Sequence, residues 1–379
     1  MALTLSEEQE VLRATARDFV REHAPVAHLR ELRDRRDPVG FSRSLWTRMA
    51  ELGFAGVVLP LEYGGSGLGY AELGILMEEC GCTLMPEPFL STAVLGSSAL
   101  LLGASEDLKR KILPGVSSGD TILALAHQES GRFAPYAVST RAARCDGGFR
   151  LDGSKIFVLD GHVANYLVVV ARTSGAFGDR GGLTSFLMPA NARGLSVERT
   201  IMVDSRNAAT VRLDGVVVPA TDVVGVVDQA ADLLDPVFDR GAVALSAQLL
   251  GCLTEAFERT LRYLKTRVQF GVPIGSFQAL QHRAVQMYCE VELSRSIVLE
   301  ALRAVDEGRA DLPRLASAAK ARTSDTAGLV TREAIQMYGG IGMTDEEEIG
   351  LFLKRARAAE LTLGDGSYHR DRFARVSGY

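Results

Sequence analysis

The hydrophobic pattern of this 379-residue chain changes period twice, and a helical, then strand-rich, then helical order is compatible with few folds. Up to about Leu113 apolar residues recur every three or four positions, as at Val11, Leu12, Ala16, Phe19 and Val20. Ser6 followed by Gln9 reads as a capping box, with Glu7 and Glu8 in the first turn of the helix it opens. A second helical block runs from Tyr70 to Cys80, after a glycine run at 64–69 that reads as a turn between helices. Near Thr121 the period shortens. Runs at 121–126, 149–151, 156–159, 166–171, 184–188, 195–199, 210–213 and 216–218 are rich in β-branched residues. Turn chemistry such as Asp146-Gly147-Gly148, Asp152-Gly153 and Asp214-Gly215 separates them, which predicts an antiparallel barrel or sandwich. After about Asp228 the chain is helical again. Leu245, Leu249, Leu253, Phe257, Leu261 and Leu264 form one stripe, and helices are predicted at 276–305 (with Ser276 as cap), 312–338 and 346–361. The class is therefore α+β, with helical segments 1–120 and 229–379 around a strand-rich segment 121–228, the last segment long enough for a four-helix bundle.

Bulk properties exclude several roles. A net charge of −5 gives no basic face for nucleic acid. No apolar run approaches the roughly 18 residues of a membrane span. The N-terminus turns acidic at once and lacks the pattern of a signal peptide, so a cytoplasmic protein is expected. The five cysteines are irregularly spaced and odd in number, which suggests buried thiols rather than disulfides or a metal site. Gly115-Val-Ser117-Ser-Gly119 matches a nucleophile elbow, but a helix precedes it and a strand follows it, the reverse of the required order. Gly65, Gly67 and Gly69 half-match a dinucleotide fingerprint without a βαβ unit around them. None of the six histidines is paired at metal-ligand spacing. His127, at a predicted strand end, reads equally as a residue lining a site or as a structural histidine.

Three stretches carry a more specific signal. The first is Arg267-Val-Gln-Phe270-Gly271-Val-Pro273-Ile274, continued by Phe277-Gln278-Ala-Leu-Gln-His282. The second is Gln336-Met-Tyr-Gly339-Gly340-Ile-Gly342, and the third pairs Ala126-His127-Gln128-Glu129-Ser130 with Lys155-Ile-Phe157-Val-Leu159-Asp160-Gly161. Together they resemble the acyl-CoA dehydrogenase family over essentially the whole chain. The tail Leu363-Gly364-Asp365-Gly366 resembles a bacterial branch that includes pimeloyl-CoA dehydrogenase small subunits and steroid side-chain acyl-CoA dehydrogenases. The resemblance implies a middle β-barrel, a C-terminal four-helix bundle and bound FAD. It assigns Arg267 to the FAD pyrophosphate, Phe270 to packing on the cofactor and Gln278 to a hydrogen bond. It assigns Gln336 with Gly339 and Gly340 to the FAD of a neighbouring subunit, so the site would lie at a subunit interface of a homo- or hetero-oligomer. A guanidinium offers two donors to phosphate oxygens, and glycines permit close backbone approach. Gln128, Phe157 and Leu159 take the flavin-facing strand positions, where threonine, tryptophan and threonine are usual; Leu159 has no side-chain donor.

The implied reaction is α,β-dehydrogenation of an acyl-CoA thioester, with electrons leaving to an electron-transfer flavoprotein. It needs a carboxylate base whose pKa a dry pocket raises. Both positions that resemble the family's base sites hold glycine, Gly364 and Gly241. Asp239 is the favoured displaced base and Asp365 the second choice. Asp239 alternatively reads as the N-cap of a helix starting at Arg240. Two rival readings remain: a half-site or non-catalytic subunit whose partner supplies the carboxylate, and another flavin oxidase or monooxygenase on the same fold.

Overall fold

The computed structural model describes residues 4–379; Met1 to Leu3, part of the acidic N-terminal stretch, lie outside the described residues. Six helices come first: α1 (Glu7–His23), α2 (Val26–Asp34), α3 (Arg43–Glu51), α4 (Tyr70–Cys82), α5 (Ser97–Gly103) and α6 (Glu106–Ser117). Then follow β1 (Leu123–Ala126), β2 (Arg141–Cys145), β3 (Gly148–Leu159), β4 (Tyr166–Arg172), β5 (Leu183–Pro189), β6 (Leu195–Ile201), β7 (Asn207–Pro219) and β8 (Val223–Val224). The rest is α7 (Ala230–Thr266), the small strands β9 (Val268–Gln269) and β10 (Val272–Pro273), then α8 (Gln278–Asp306), α9 (Leu312–Tyr338), α10 (Ile349–Leu361) and α11 (Gly366–Val376). Two compact units result. One gathers the residues up to Asp34, Tyr70–Met85 and Ala242–Tyr379; the other gathers Arg35–Gly69 and Pro86–Gly241.

In the first unit, the capping box forms as expected. The Gln9 N–H donates to Ser6 Oγ at 3.2 Å, and the Ser6 N–H donates back to Gln9 Oε1 at 3.1 Å. Helices α8, α10 and α11 surround α9, whose buried face is mostly alanine, serine and threonine, small side chains that let helix axes approach. Helices α4 and α7 meet through Gly81 and Gly251. A Cβ on Gly81 would collide with the Gln248 carbonyl, and one on Gly251 with the Glu78 carbonyl. Buried Arg355 donates to the carbonyls of Leu84 (3.0 Å) and Met85 (3.4 Å), replacing water for backbone groups just past the end of α4.

The second unit holds an eight-stranded sheet in the order β6-β7-β3-β2-β4-β5-β8, with β1 joined to β4. Most pairings are antiparallel, but β1 and β2 both meet β4 in parallel. The runs at 149–151 and 156–159 merge into β3, and those at 210–213 and 216–218 merge into β7. Asp152-Gly153 and Asp214-Gly215 are therefore not strand-ending turns. They form an irregularity where the register shifts between Leu151 and Gly153, and the Gly215 N–H donates to Asp152 Oδ1 at 2.8 Å. Turn residues serve a bulge as readily as a hairpin.

Other expectations are corrected. Ser276 does not cap α8; its hydroxyl donates to the Pro273 carbonyl at 2.8 Å, and the helix begins two residues later behind Phe277. Asp239 is not an N-cap either, because α7 starts at Ala230 and runs unbroken past it. The thiols are not all buried, since Cys145 and Cys289 are exposed. Strand β2 and helix α11 carry too few apolar residues to show a period, and the sequence did not reveal them. Ser117 lies in the last turn of α6, before β1, and its buried hydroxyl donates to the Tyr63 carbonyl at 3.0 Å, so it is a structural serine.

Candidate active site

The first unit carries the Arg267 and Gln336 segments. Strands β9 and β10 form a hairpin closed by Phe270 and Gly271, both at positive φ (54° and 80°), the backbone of a type I′ turn. Glycine is at ease there and phenylalanine is not. Phe270 is 91% exposed, an apolar ring held out on a strained backbone with the Phe277 ring edge-on to it at 6.1 Å. Arg267 is exposed, while its backbone is fixed at both ends: its N–H donates to the Tyr263 carbonyl and its carbonyl accepts from the Ile274 N–H, each at 2.8 Å. Gln278, the first residue of α8, is exposed beside this hairpin.

Gln336 is exposed near the end of α9, and the chain then turns at Gly339 with φ 69° and ψ −142°. An added Cβ on Gly339 or Gly340 would meet nothing within 4 Å, so neither glycine is there to fit a neighbour within the chain. Gly339 is required by its φ, and both leave the backbone open to close approach. Tyr263 and Tyr338 join this turn to the arginine segment. Their rings stack with centroids 4.2 Å apart, and each hydroxyl donates to a backbone carbonyl at 3.3 Å, Tyr263 to that of Tyr338 and Tyr338 to that of Arg259. Two segments that the sequence reading treated separately thus share one region. The stacking tyrosines were missed because nothing in their spacing marks them.

The second unit carries the strand segments. Past the end of β1, the Gln128 carbonyl accepts from the Ile156 N–H at 2.8 Å, tying this segment to β3. The Gln128 side-chain amide donates to the Ser130 carbonyl at 2.8 Å and is thereby engaged by its own loop. Beneath lies a buried ion pair, Lys155 Nζ to Glu129 Oε1 at 2.6 Å. Burial pushes the Lys155 ammonium down, and Glu129 only partly restores it. Burial would raise the Glu129 carboxyl, but Lys155 and donors from Ser139 and Thr140 bring it below the usual carboxylate range. Sequence reasoning missed this pair, which has no local spacing signature. It fixes the two strand segments against each other.

Phe157 sits where the β3–β7 register shifts, at φ 51°, and its ring is 46% exposed. Leu159 is half-buried and pairs with Ala208, leaving only backbone groups for polar contact. The next residue, Asp160, is buried; its carboxylate accepts from Ser91 Oγ at 2.6 Å, and burial raises its pKa to about 6.

The two candidate bases differ in surroundings. Asp239 is 2% exposed in the interior of α7 and interacts with neighbouring groups. On a continuous helix it lies about 200° around from Gly241, so it does not stand in for that residue one-for-one. Asp365 is half-buried and caps α11, its Oδ1 accepting from the Tyr368 N–H at 2.8 Å. Beside it, Lys320 is fully buried; its Nζ donates to the carbonyls of Glu360 and Gly364 at 2.9 Å and to Ser324 Oγ at 3.2 Å. No cluster of histidine, cysteine or carboxylate side chains able to hold a metal occurs among the described residues.

Family models match nearly the whole chain: the acyl-CoA dehydrogenase N-terminal domain over residues 6–120, the middle domain over 123–216 and the C-terminal domain over 233–378. The chain belongs to the acyl-CoA dehydrogenase family. It is 30% identical to a mitochondrial 2-methylacyl-CoA dehydrogenase of Solanum tuberosum, across 97% of this chain and 90% of that one. Among solved structures, a variant of the Tcur3481-Tcur3483 steroid ACAD is 32% identical with a TM-score of 0.88, covering 99% of this chain and 98% of that chain. The ChsE4-ChsE5 complex from Mycobacterium tuberculosis is 26% identical with a TM-score of 0.88, and each chain covers the other fully. This acyl-CoA dehydrogenase is an oxidoreductase that uses FAD to dehydrogenate an acyl-CoA. No helix among the described residues is long and apolar enough to cross a membrane.

The residues present suit the cofactor. The hairpin offers an exposed ring on a strained backbone beside an exposed arginine with a fixed backbone, and the turn after α9 offers two glycines with open space above them. These features fit a flat heteroaromatic group carrying a pyrophosphate.

Proposed function

We propose that the chain removes the α-proton and β-hydride of an acyl-CoA in the cytoplasm, with Asp239 taking the proton, and that electrons leave to an electron-transfer flavoprotein. Segments 1–120, 121–228 and 229–379 act as its three domains. Bound FAD supplies the hydride acceptor. Arg267 neutralises an FAD pyrophosphate, Phe270 packs on that cofactor and Gln278 donates a hydrogen bond to it; in the other unit, Phe157 packs on a flavin ring. Gln336, Gly339 and Gly340 serve the cofactor of a second subunit, so the assembled site lies at a subunit interface. Gln128 and Leu159 contribute through their backbones, because one amide is engaged by Ser130 and the other side chain is apolar.

The observation that supports this reading most is Phe270, a ring 91% exposed and held at positive φ, with the edge of Phe277 beside it. Asp239 is preferred to Asp365 because it is buried away from water and does not cap a helix. The test is Asp239→Asn, compared with wild type for flavin content and for anaerobic flavin reduction by acyl-CoAs. Retained flavin with abolished reduction is expected; unchanged reduction removes Asp239 from the mechanism.

The glycines at 241 and 364, with Asp239 turned about 200° from the first, favour a second reading. In it the chain is one half of a hetero-oligomer whose other subunit supplies the carboxylate. The likeness to the ChsE4-ChsE5 complex is in keeping with that arrangement.

A further inference from the structure

A turn that offers backbone N–H groups to a cofactor needs a fixed backbone, and glycine is the residue least able to fix its own. The connection 339–348 between α9 and α10 opens with glycines at 339, 340 and 342. Gly339, Gly340 and Ile341 are exposed, whereas Gly342 packs inward, where an added Cβ would crowd the Tyr338 side chain. Past the glycines the chain is acidic, running Asp345-Glu346-Glu347-Glu348. Left unpaired, these carboxylates would repel a pyrophosphate approaching the turn.

Two arginines of α2 meet the first of them. Arg33 grips Asp345 in a bidentate pair, Nη1 to Oδ1 at 2.7 Å and Nη2 to Oδ2 at 2.6 Å. Arg30, one turn earlier on the same face, donates from Nη1 to the main-chain carbonyl of Asp345 and, at 3.4 Å, to its Oδ2. The Arg33 guanidinium holds the Asp345 carboxyl below its ordinary value, so the pair stays ionised. At the far end, Arg259 Nη1 donates to Glu348 Oε2 at 2.6 Å, while the Arg259 carbonyl accepts from the Tyr338 hydroxyl. The connection is thus fastened just before its glycines, at Asp345 and at Glu348, and all these residues belong to the first unit. An isolated exposed ion pair adds little to a fold. This one differs in holding a main-chain carbonyl as well as a carboxylate, in a segment whose glycines cannot hold themselves.

We propose that Arg33, supported by Arg30, is a positioning residue for the cofactor: by fixing Asp345 it sets the backbone of the Gly339–Gly340 turn and neutralises the carboxylate that follows, without touching FAD. The proposal rests on the reading above that this turn serves FAD, and it gives the second helix of the chain a part in holding the cofactor.

The experiment dilutes the flavin-loaded protein and follows FAD release by the rise in FAD fluorescence, a readout that needs no turnover. Arg33→Gln should release FAD about 10-fold faster than wild type, the scale of one charged hydrogen bond. Asp345→Asn breaks the same pair from the turn's side and should act alike, so the result does not hang on how α2 tolerates substitution. Arg33→Lys, which keeps the charge and one contact, should release FAD more slowly than Arg33→Gln. Arg309 is the control, since its ion pairs with Glu300 and Asp311 are also partly exposed but lie outside this connection. Arg309→Gln should release FAD at the wild-type rate. Wild-type release from both Arg33→Gln and Asp345→Asn overturns the proposal. So does equal acceleration by Arg309→Gln, which marks a general loss of stability, or an Arg33→Lys no slower than Arg33→Gln. Gly340→Val tests the reading beneath: its side chain would enter open space in the chain itself, and should speed FAD release only if a cofactor lies there. Wild-type release from Gly340→Val removes the turn from the FAD site, whereas fast release from Gly340→Val with wild-type release from Arg33→Gln and Asp345→Asn fails the proposal alone.

Discussion

Asp239 and Asp365 are the same residue type, each within two positions of a glycine where the family resemblance places the base, yet their surroundings differ. Asp365 begins a helix, its carboxylate accepts from the Tyr368 N–H, and it is half-buried. Asp239 lies inside a continuous helix and is almost wholly withdrawn from water. An aspartate committed to an orphan helix N–H is a structural group. Asp239 caps no helix, and its carboxylate is withdrawn from water among neighbouring groups with which it interacts. Nearness to the expected position in sequence separates the two less well than their burial and their place in the helix.

The largest test of that contrast is Asp239→Asn, which should lower kcat/KM by about 100- to 10,000-fold, the range a positioned general base contributes, with flavin content unchanged. A loss within threefold would place Asp239 beside Asp365 as a structural residue. Next, Arg267→Ala should weaken FAD retention by about 10- to 100-fold, equivalent to the roughly 1.5–3 kcal/mol of a charged hydrogen bond, as read by flavin absorbance after gel filtration. Full retention would show that the exposed hairpin serves something other than the cofactor.

Lys320 sharpens the Asp365 side of the comparison, because its ammonium holds the Gly364 carbonyl. Burial lowers its pKa to about 7, against the attraction of Glu360 and Asp365. The unfolded chain keeps this proton up to about pH 10.5 while the folded chain releases it near pH 7, so the unfolded state binds more protons between these values. This group therefore makes stability rise with pH across that window, by at most about 1.4 kcal/mol per pH unit. Urea unfolding at pH 7 and pH 9 should show the rise in wild type and a smaller one in Lys320→Met. A fall in the wild type relative to that variant would contradict the assignment. The smallest expected effect is that of Asp365→Ala, about 1 kcal/mol of stability from the lost cap, with kcat changed less than threefold.

The order of helices, strands and helices was legible because long amphipathic stripes and β-branched runs have distinct periods. Arg267, Phe270, Gln336 and Gly339 were legible as residue types at a spacing, and their exposure agrees with a role outside the chain's own core. Other features were hidden for physical reasons. Asp152-Gly153 and Asp214-Gly215 have turn chemistry but sit in a bulge, which only strand register reveals. Helix α7 begins nine residues before Asp239 despite Pro236 within it, so local cap chemistry at Asp239 misled. The Lys155–Glu129 pair, the Tyr263–Tyr338 stack and the ring cluster around His127 join residues far apart in the chain, and no period records them.

The most direct test of the central claim is anaerobic reduction of the bound flavin by a panel of acyl-CoAs, run on the chain alone and again with a candidate second subunit. The account expects the chain alone to bleach with at least one acyl-CoA, and Asp239→Asn to hold its flavin without bleaching. A flavin-loaded chain that bleaches with none of them, but does so once the second subunit is added, would contradict it and place the base in the partner.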